Sequence, residues 1–150
     1  MSQSLVKNYI HLVYSTKKRE AFIHKPFDQK LYIYIYKICE DLGVSVHAVG
    51  GHVDHIHILC ELPKNMTLIE LLQKLKGKSS KWFKTLSVNL QDFYWQNGYA
   101  SFSINPQQKD IVIQYIHNQE QHHQNQTFKE ELLYFLKKYQ VEYDEKYLWD

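Results

Sequence analysis

Two histidines separated by a single residue are the first candidates for chemistry in this sequence. His55 and His57 lie in a run of aliphatic residues whose alternation predicts a strand over residues 55–62. Alternate side chains of a strand project from the same face, so both imidazoles point the same way and can bind one metal ion together. By itself the pattern is also typical of two half-buried histidines hydrogen-bonded to neighbouring carbonyl groups.

A tyrosine and a glutamine lie one helical turn apart in a second segment. Residues 109–124 are predicted to be helical because apolar side chains recur at helical spacing, and Pro106 fits the start of that helix. Tyr115 and Gln119 then share one face, with His122 close to the same line. A phenol with a pKa of about 10 is a poor nucleophile at neutral pH, so it needs an electrophile activated by a metal ion. Two strand histidines and a helix amide would supply ligands for that ion.

The remaining patterns indicate which elements position these side chains. They predict strands over residues 5–15, 44–49, 55–62 and 99–104, and helices over residues 27–42, 68–86, 109–124 and 128–139. Gly50-Gly51 is predicted to form the hairpin turn between the second and third strands. The order βαββαβ indicates a ferredoxin-like α+β fold: an antiparallel sheet with helices on one face, followed by C-terminal helices that include the Tyr115 segment.

Two polar residues near the histidine pair have open roles. His11, on the first strand, either adjoins the site or packs within the sheet. Asp54 points away from the face of His55 in an extended strand, so it can orient a histidine only if the chain turns there. Asp54 is not predicted to be a direct metal ligand.

These motifs carry a family resemblance. Asp54-His55-Ile56-His57, followed downstream by Tyr115-Ile-His-Asn-Gln119, resembles the HUH motif and nucleophile helix of the single-tyrosine transposases of the insertion-sequence-200 type. Three further blocks follow the order of that family, at residues 75–83, 95–103 and 143–149. The chain departs from the common pattern in the histidine- and glutamine-rich residues 117–126, which surround the expected ligand Gln119 with alternatives.

The resemblance implies a transposase that cleaves and rejoins single-stranded DNA. Tyr115 would attack a backbone phosphate, form a 5′-phosphotyrosine and free a 3′-hydroxyl. His55, His57 and Gln119 would bind one divalent ion per site, Mg²⁺ or Mn²⁺. The implied DNA partner carries a hairpin at each element end. The implied assembly is a homodimer with shared sites, in which Tyr115 of one subunit reaches the histidine pair of the other.

Basic residues occur in two clusters although the formal net charge is only +2. Lys74, Lys78 and Lys81 recur at helical spacing opposite a leucine stripe, and Lys17-Lys18-Arg19 follows the first strand. Charge spacing alone is typical of a solvated helix face, but the family resemblance implies that the first cluster contacts a DNA hairpin. We expect the second cluster to meet a DNA backbone as well. The twelve tyrosines suit base stacking as well as a core or a dimer interface.

Length and composition predict one domain over residues 1–150. The N-terminal residues lack the pattern of a secretory signal, and no apolar run approaches the length of a membrane span. Cys39 and Cys60 are too few for a disulfide framework and are expected to be buried thiols. We therefore expect a cytoplasmic protein with no membrane partner.

Two other functions fit parts of the sequence. The first is a domesticated nuclease that acts on repeated palindromes, which the flanking DNA rather than the chain would reveal. The second is a noncatalytic ferredoxin-like module that stacks unpaired bases on its sheet and would tolerate Tyr115→Phe. A structural zinc site is disfavoured because no cysteine pair accompanies the histidines.

Overall fold

The computed structural model describes residues 2–150, which form one four-stranded antiparallel sheet and six α-helices. The strands are β1 (Tyr9–Ser15), β2 (Val46–His52), β3 (His55–Glu61) and β4 (Ala100–Ile104). The helices are α1 (Phe27–Asp41), α2 (Leu68–Phe83), α3 (Lys109–His117), α4 (Gln119–His122), α5 (Phe128–Lys138) and α6 (Glu145–Leu148). The strand order β2-β3-β1-β4 confirms the ferredoxin-like prediction. Within residues 2–150, none of the helices is both long and apolar enough to cross a membrane.

One face of the sheet packs against α1 and α2. The side chains that β1 and β3 direct to this face are buried in one cluster: Ile10, Leu12, Tyr14, Ile56, Ile58 and Cys60. The apolar residues of α1 and α2 recur every three or four positions and complete the cluster. The predicted alternation is thus confirmed. When one face of a strand is buried, the two-residue period specifies which residues point inward.

The other face of the sheet is covered by the C-terminal helices. Val13 packs with Phe128, Leu132 and Phe135 of α5, while Leu59 packs with Ile116 of α3. The second face therefore has its own apolar core instead of facing water. Any polar side chain on that face must find its partners within the protein.

The turn between β2 and β3 lies beyond the predicted position. The sequence predicts the turn at Gly50-Gly51, but β2 continues to His52 and the turn is formed by residues 53–54. Gly50 is needed inside the strand because α3 comes very close there. A Cβ on Gly50 would lie 2.5 Å from the backbone oxygen of Ile116.

Two other element boundaries differ from the prediction. The helix predicted over residues 109–124 is divided at Asn118, whose φ of −99° and ψ of 20° depart from helical values. β1 begins at Tyr9 rather than at residue 5. Tyr9 pairs with Glu61 of β3 and with Ile104 of β4, and both of those strands end at these pairs.

Capping boxes start two of the helices. The Thr67 side chain accepts a hydrogen bond from the Glu70 backbone at the start of α2, and the Glu70 carboxylate accepts one from the Thr67 backbone. Thr127 and Glu130 make the same reciprocal pair at α5. The second box starts the helix that covers the histidine face.

We expect Gly50→Ala to disrupt the packing of α3, since its Cβ would contact the backbone of Ile116 rather than a movable side chain. The free energy of unfolding should fall by roughly 1–3 kcal/mol, as in other overpacked sites. The matched control is Gly77→Ala in α2, where an added Cβ has no neighbour within 4 Å. It should raise stability by about 0.5–1 kcal/mol because alanine is the better helix former. Urea unfolding of both variants tests this, and equal effects would contradict it.

Candidate active site

The histidine pair projects from β3 onto the face that the C-terminal helices cover. His55 and His57 are both fully buried. Their Nε2 atoms lie 3.3 and 3.0 Å from the same oxygen, Oε1 of Glu131 in α5. The structure therefore brings the two imidazoles together around one buried carboxylate.

Gln119 joins this group through the division between α3 and α4. Its side chain is buried, and its Oε1 lies 2.9 Å from Nε2 of His55. Its amide nitrogen donates a hydrogen bond of 3.0 Å to Oε2 of Glu131. The amide therefore contacts one histidine of the pair and the central carboxylate.

Glu131 is the functional residue that the sequence prediction missed. It is a nearly fully buried acid on α5, on the same stripe as Phe128, Leu132 and Phe135. An acidic residue on the apolar stripe of an amphipathic helix was the available signal, because a buried charge requires partners. Burial raises the pKa of Glu131, but the surrounding imidazoles of His57, His123 and His55 outweigh burial and hold the pKa well below its usual range.

The Nδ1 atoms of the two imidazoles, on the side of each ring away from Glu131, also have hydrogen-bonding partners. Nδ1 of His55 lies 2.7 Å from Oδ1 of Asp54, and Nδ1 of His57 lies 2.8 Å from Nε2 of His11. These contacts hold the rings so that both Nε2 atoms face Glu131. They answer the two open questions: His11 adjoins the site, and Asp54 reaches His55 because the chain turns there.

The two histidines have different electrostatic surroundings. Burial lowers the pKa of His55, but hydrogen bonds to Asp54 and Glu131 prevail and raise its pKa to about 9. His57 has a pKa below its ordinary value, since burial outweighs the attraction of Glu131. Burial also keeps the pKa of His11 well below the ordinary value.

Tyr115 lies at the same cluster. Its hydroxyl donates a hydrogen bond to Oε2 of Glu131. The phenol ring is in edge contact with His57 and Phe135, at centroid distances of 5.8 and 5.5 Å. Burial and the negative charge of Glu131 both raise the pKa of Tyr115. Without a bound cation, the phenol is therefore held in its protonated form.

The donor set fits a divalent metal ion. His55, His57 and Glu131 each offer one ligand atom, and these atoms lie within 4.8 Å of one another. Imidazole nitrogens combined with carboxylate and amide oxygens suit a first-row divalent ion such as Mn²⁺. Among the predicted alternatives in residues 117–126, His123 comes closest, with Nε2 at 2.9 Å from Oε1 of Gln119 and 3.2 Å from Oε1 of Glu131.

The predicted basic residues lie away from this cluster. Lys74, Lys78 and Lys81 are exposed on α2, which packs on the opposite face of the sheet from the histidine pair. Lys17 and Lys18 are exposed after β1, while Arg19 stacks over Trp149 at 5.1 Å. The structure does not bring the lysines to the histidine and tyrosine site.

Tyr94 lies on the surface between Lys84 and Lys17 of the second basic cluster. Its ring lies 3.7 Å from the ammonium of Lys84, beyond the end of α2, and 6.0 Å from that of Lys17. Lys76 of α2 behaves differently, because its ammonium donates to the backbone oxygens of Gln96 and Gly98 at 2.9 and 2.6 Å. Burial lowers the pKa of Lys76 to about 8. Lys76 therefore ties a loop to α2.

Comparison with known families agrees with this arrangement. The family model "Transposase IS200 like" matches residues 4–119, which include both histidines, Tyr115 and Gln119. The chain belongs to the IS200-like transposase family. The match ends before α5, so Glu131 lies outside the matched residues.

Two curated relatives are transposases for insertion sequence element IS200, from Salmonella typhimurium strain LT2 and from Salmonella typhi. Each is 31% identical over 70 residues, which is 47% of this chain and 46% of the relative. The aligned part thus spans about half the length of these IS200 transposases.

Two solved structures share the fold of this IS200-like chain. One is a candidate transposase from Deinococcus radiodurans R1, with a TM-score of 0.63 and 20% identity over 79% of this chain and 98% of that chain. The other is a REP-associated tyrosine transposase bound to a REP hairpin, with a TM-score of 0.59 and 19% identity. It covers 82% of this chain and 74% of that chain.

The contacts predict a ranking of metal affinities. His55→Ala and His57→Ala should each abolish Mn²⁺ binding, whereas Gln119→Ala should weaken it less because an amide oxygen is the poorest donor. We expect Glu131→Gln to weaken Mn²⁺ binding by at least 10-fold, since it removes the central negative charge. Calorimetry measures all four affinities, and the exposed His24→Ala is the matched control. If His123→Ala loses Mn²⁺ binding and Gln119→Ala keeps it, His123 rather than Gln119 is the metal ligand.

Proposed function

We propose that this IS200-like protein is a transposase that cleaves and rejoins single-stranded DNA through Tyr115. The observation that carries the proposal is the position of the Tyr115 hydroxyl, which shares the Glu131 carboxylate with His55 and His57. A nucleophile and a set of metal ligands thus occur in one cluster. A noncatalytic base-stacking module has no need of such a cluster.

In the proposed reaction the phenolic oxygen of Tyr115 attacks a backbone phosphorus. The new bond joins Tyr115 to the 5′-phosphate, the bond from phosphorus to the 3′-oxygen breaks, and a 3′-hydroxyl is released. The phenol proton is relayed through Glu131, the carboxylate that already accepts its hydrogen bond, to the departing 3′-oxygen, which thereby becomes the 3′-hydroxyl. The energy of the phosphodiester is retained in the tyrosine ester, so the 3′-hydroxyl of another strand can reverse the step and rejoin DNA.

His55, His57 and Glu131, with Gln119, would hold one divalent ion, Mg²⁺ or Mn²⁺. When bound, this ion would polarise the phosphate and offset the charge that develops on it. The side chains of His11 and Asp54 keep the two imidazoles oriented toward that position.

Tyr115→Phe should abolish the covalent protein–DNA adduct and leave hairpin binding nearly unchanged, because only the attacking oxygen is removed. The assay is incubation with single-stranded flanking DNA and Mn²⁺, followed by denaturing electrophoresis. Tyr147→Phe, at an exposed position on α6, is the matched control and should form the adduct normally. Adduct formation by Tyr115→Phe at the wild-type level would place the nucleophile elsewhere.

We further propose that the surface formed by α2, Tyr94 and Lys17 binds a DNA hairpin. Support comes from the exposed lysines of α2, from the lysine contacts of Tyr94, and from the hairpin bound by the structurally similar REP-associated transposase. Because α2 lies across the sheet from Tyr115, one DNA molecule would be held at one face and cut at the other.

Replacing Lys74, Lys78 and Lys81 with glutamine should weaken hairpin affinity and reduce its salt dependence. Each lost phosphate contact lowers the slope of log affinity against log salt by about 0.9, so three contacts lower it by about 3. The matched control replaces Lys129, Lys137 and Lys146 of the C-terminal helices, which removes the same charge elsewhere. Equal slopes in the two triple variants would show that the α2 lysines do not face the hairpin.

The shared-site homodimer is tested by complementation. Tyr115→Phe protein is mixed with His55→Ala/His57→Ala protein, and a heterodimer with shared sites regains one complete site. In the structure α3 packs against β2 of its own chain at Gly50, so one chain supplies every site residue. We propose that the working dimer shares its sites, so cleavage should recover in the mixture, whereas sites arranged as in this single chain would leave the mixture inactive. Recovered cleavage would establish sharing, provided that subunit exchange is demonstrated.

A further inference from the structure

A cavity of about 310 Å³ adjoins Tyr115 on the side of α3 and α5. The residues that shape it are Ile111, Tyr115, His122, Gln126, Tyr134 and Tyr139. None of the four principal site residues His55, His57, Gln119 and Glu131 lines the cavity. The cavity and the cluster meet at His11, which bonds to His57, and at Tyr115, which attacks DNA in the proposed function.

The walls of the cavity are aromatic and aliphatic, and several remain open to solvent. Ile111 of α3 is 63% exposed and Tyr134 of α5 is 58% exposed. Phe135 and Tyr139 line the same space, with ring planes inclined at only 28°. Exposed apolar side chains beside a reactive group mark a surface that a ligand covers. Flat, open aromatic faces are the surfaces on which unpaired bases stack.

Polar groups in the cavity narrow the chemistry of that ligand. The side-chain oxygen of Gln126 is buried and has no hydrogen-bond partner among residues 2–150. A buried acceptor without a partner is costly, and that cost would be removed if the Gln126 side chain turned to accept a hydrogen bond from a donor on the ligand. Lys138 adds a positive charge at the cavity. An aliphatic ligand would leave both groups unused, whereas a nucleotide uses an amino or imino donor for Gln126 and a phosphate for Lys138.

We propose that this cavity binds one unpaired base next to the scissile phosphate of single-stranded DNA. The inference rests on the proposed role of Tyr115 as nucleophile. A phosphate placed at the Tyr115 hydroxyl has its neighbouring base within one nucleotide of the cavity. The base stacks on Tyr134 and donates to Gln126. Seating this base holds the phosphate at the nucleophile, so the pocket contributes to both affinity and positioning.

A binding assay tests the pocket without knowledge of the cleavage site. The probe is a five-nucleotide thymidine oligonucleotide with one central 2-aminopurine, titrated with the full chain in EDTA so that no cleavage occurs. Stacking quenches the fluorescence of the probe. Tyr134→Ala should weaken binding roughly 5- to 150-fold, the range for loss of one base–aromatic stack, and Tyr134→Phe should restore it. Gln126→Ala should weaken binding less.

The matched control is Tyr147→Ala, which removes an equally exposed tyrosine from α6. Thermal unfolding checks that each variant is folded. Because Tyr134 is exposed, its replacement should leave the fold intact. Equal affinity of Tyr134→Ala and Tyr147→Ala would overturn the inference. An altered sedimentation coefficient of Tyr134→Ala with unchanged probe binding would also overturn it, because the cavity would then be an interface between copies of this chain.

The adduct assay separates this inference from the proposed function. Quenching that depends on Tyr134, together with absence of an adduct in wild-type protein, would retain the pocket and refute the nuclease. An adduct that forms while quenching is independent of Tyr134 would retain the nuclease and refute the pocket.

Discussion

The site depends on one buried carboxylate. Glu131 bonds to His57, to Gln119 and to the Tyr115 hydroxyl, and thereby joins β3, α3, α4 and α5. A buried charge of this kind is stable only when its partners surround it closely. The same requirement positions the proposed nucleophile, because Tyr115 is one of the groups that satisfies the carboxylate. Glu131 occupies the centre toward which the candidate ligands point, so binding of the proposed ion would rearrange its contacts.

The alternation of the strands separates two chemical environments. The side chains of β3 on one face are isoleucine and cysteine and pack under α1 and α2, while His55 and His57 lie on the other face. An imidazole on the α1 and α2 side would lie in an entirely apolar cluster without partners. The face toward the C-terminal helices provides Asp54, His11 and Glu131 instead. Proposed cleavage and proposed hairpin binding thus occur on opposite sides of one sheet.

Close backbone contact fixes the helix that carries Tyr115. Gly50 lets the carbonyl of Ile116 lie directly against β2, which a larger residue would prevent. The division at Asn118 then redirects the chain so that Gln119 reaches His55 while Tyr115 reaches Glu131. Positioning within one chain therefore depends on a glycine in a strand and on an interrupted helix. Neither feature takes part in the chemistry.

The sequence by itself determined the sheet, the order of its elements and most of the cluster. Apolar residues recur every two positions in a strand and every three to four in a helix, and this spacing indicates which side chains are buried. The faces of β1 and β3 and the stripes of α1 and α2 could therefore be predicted. The spacing of His55 with His57, and of Tyr115 with Gln119, follows from the local geometry of a strand and a helix. Only the tertiary structure decided how Glu131 joins them, since it lies 74 residues from His57 along the chain. It also decided the role of Gly50, because the need for glycine there comes from the Ile116 carbonyl of α3, and local turn preferences carry no information about a contact with a distant backbone.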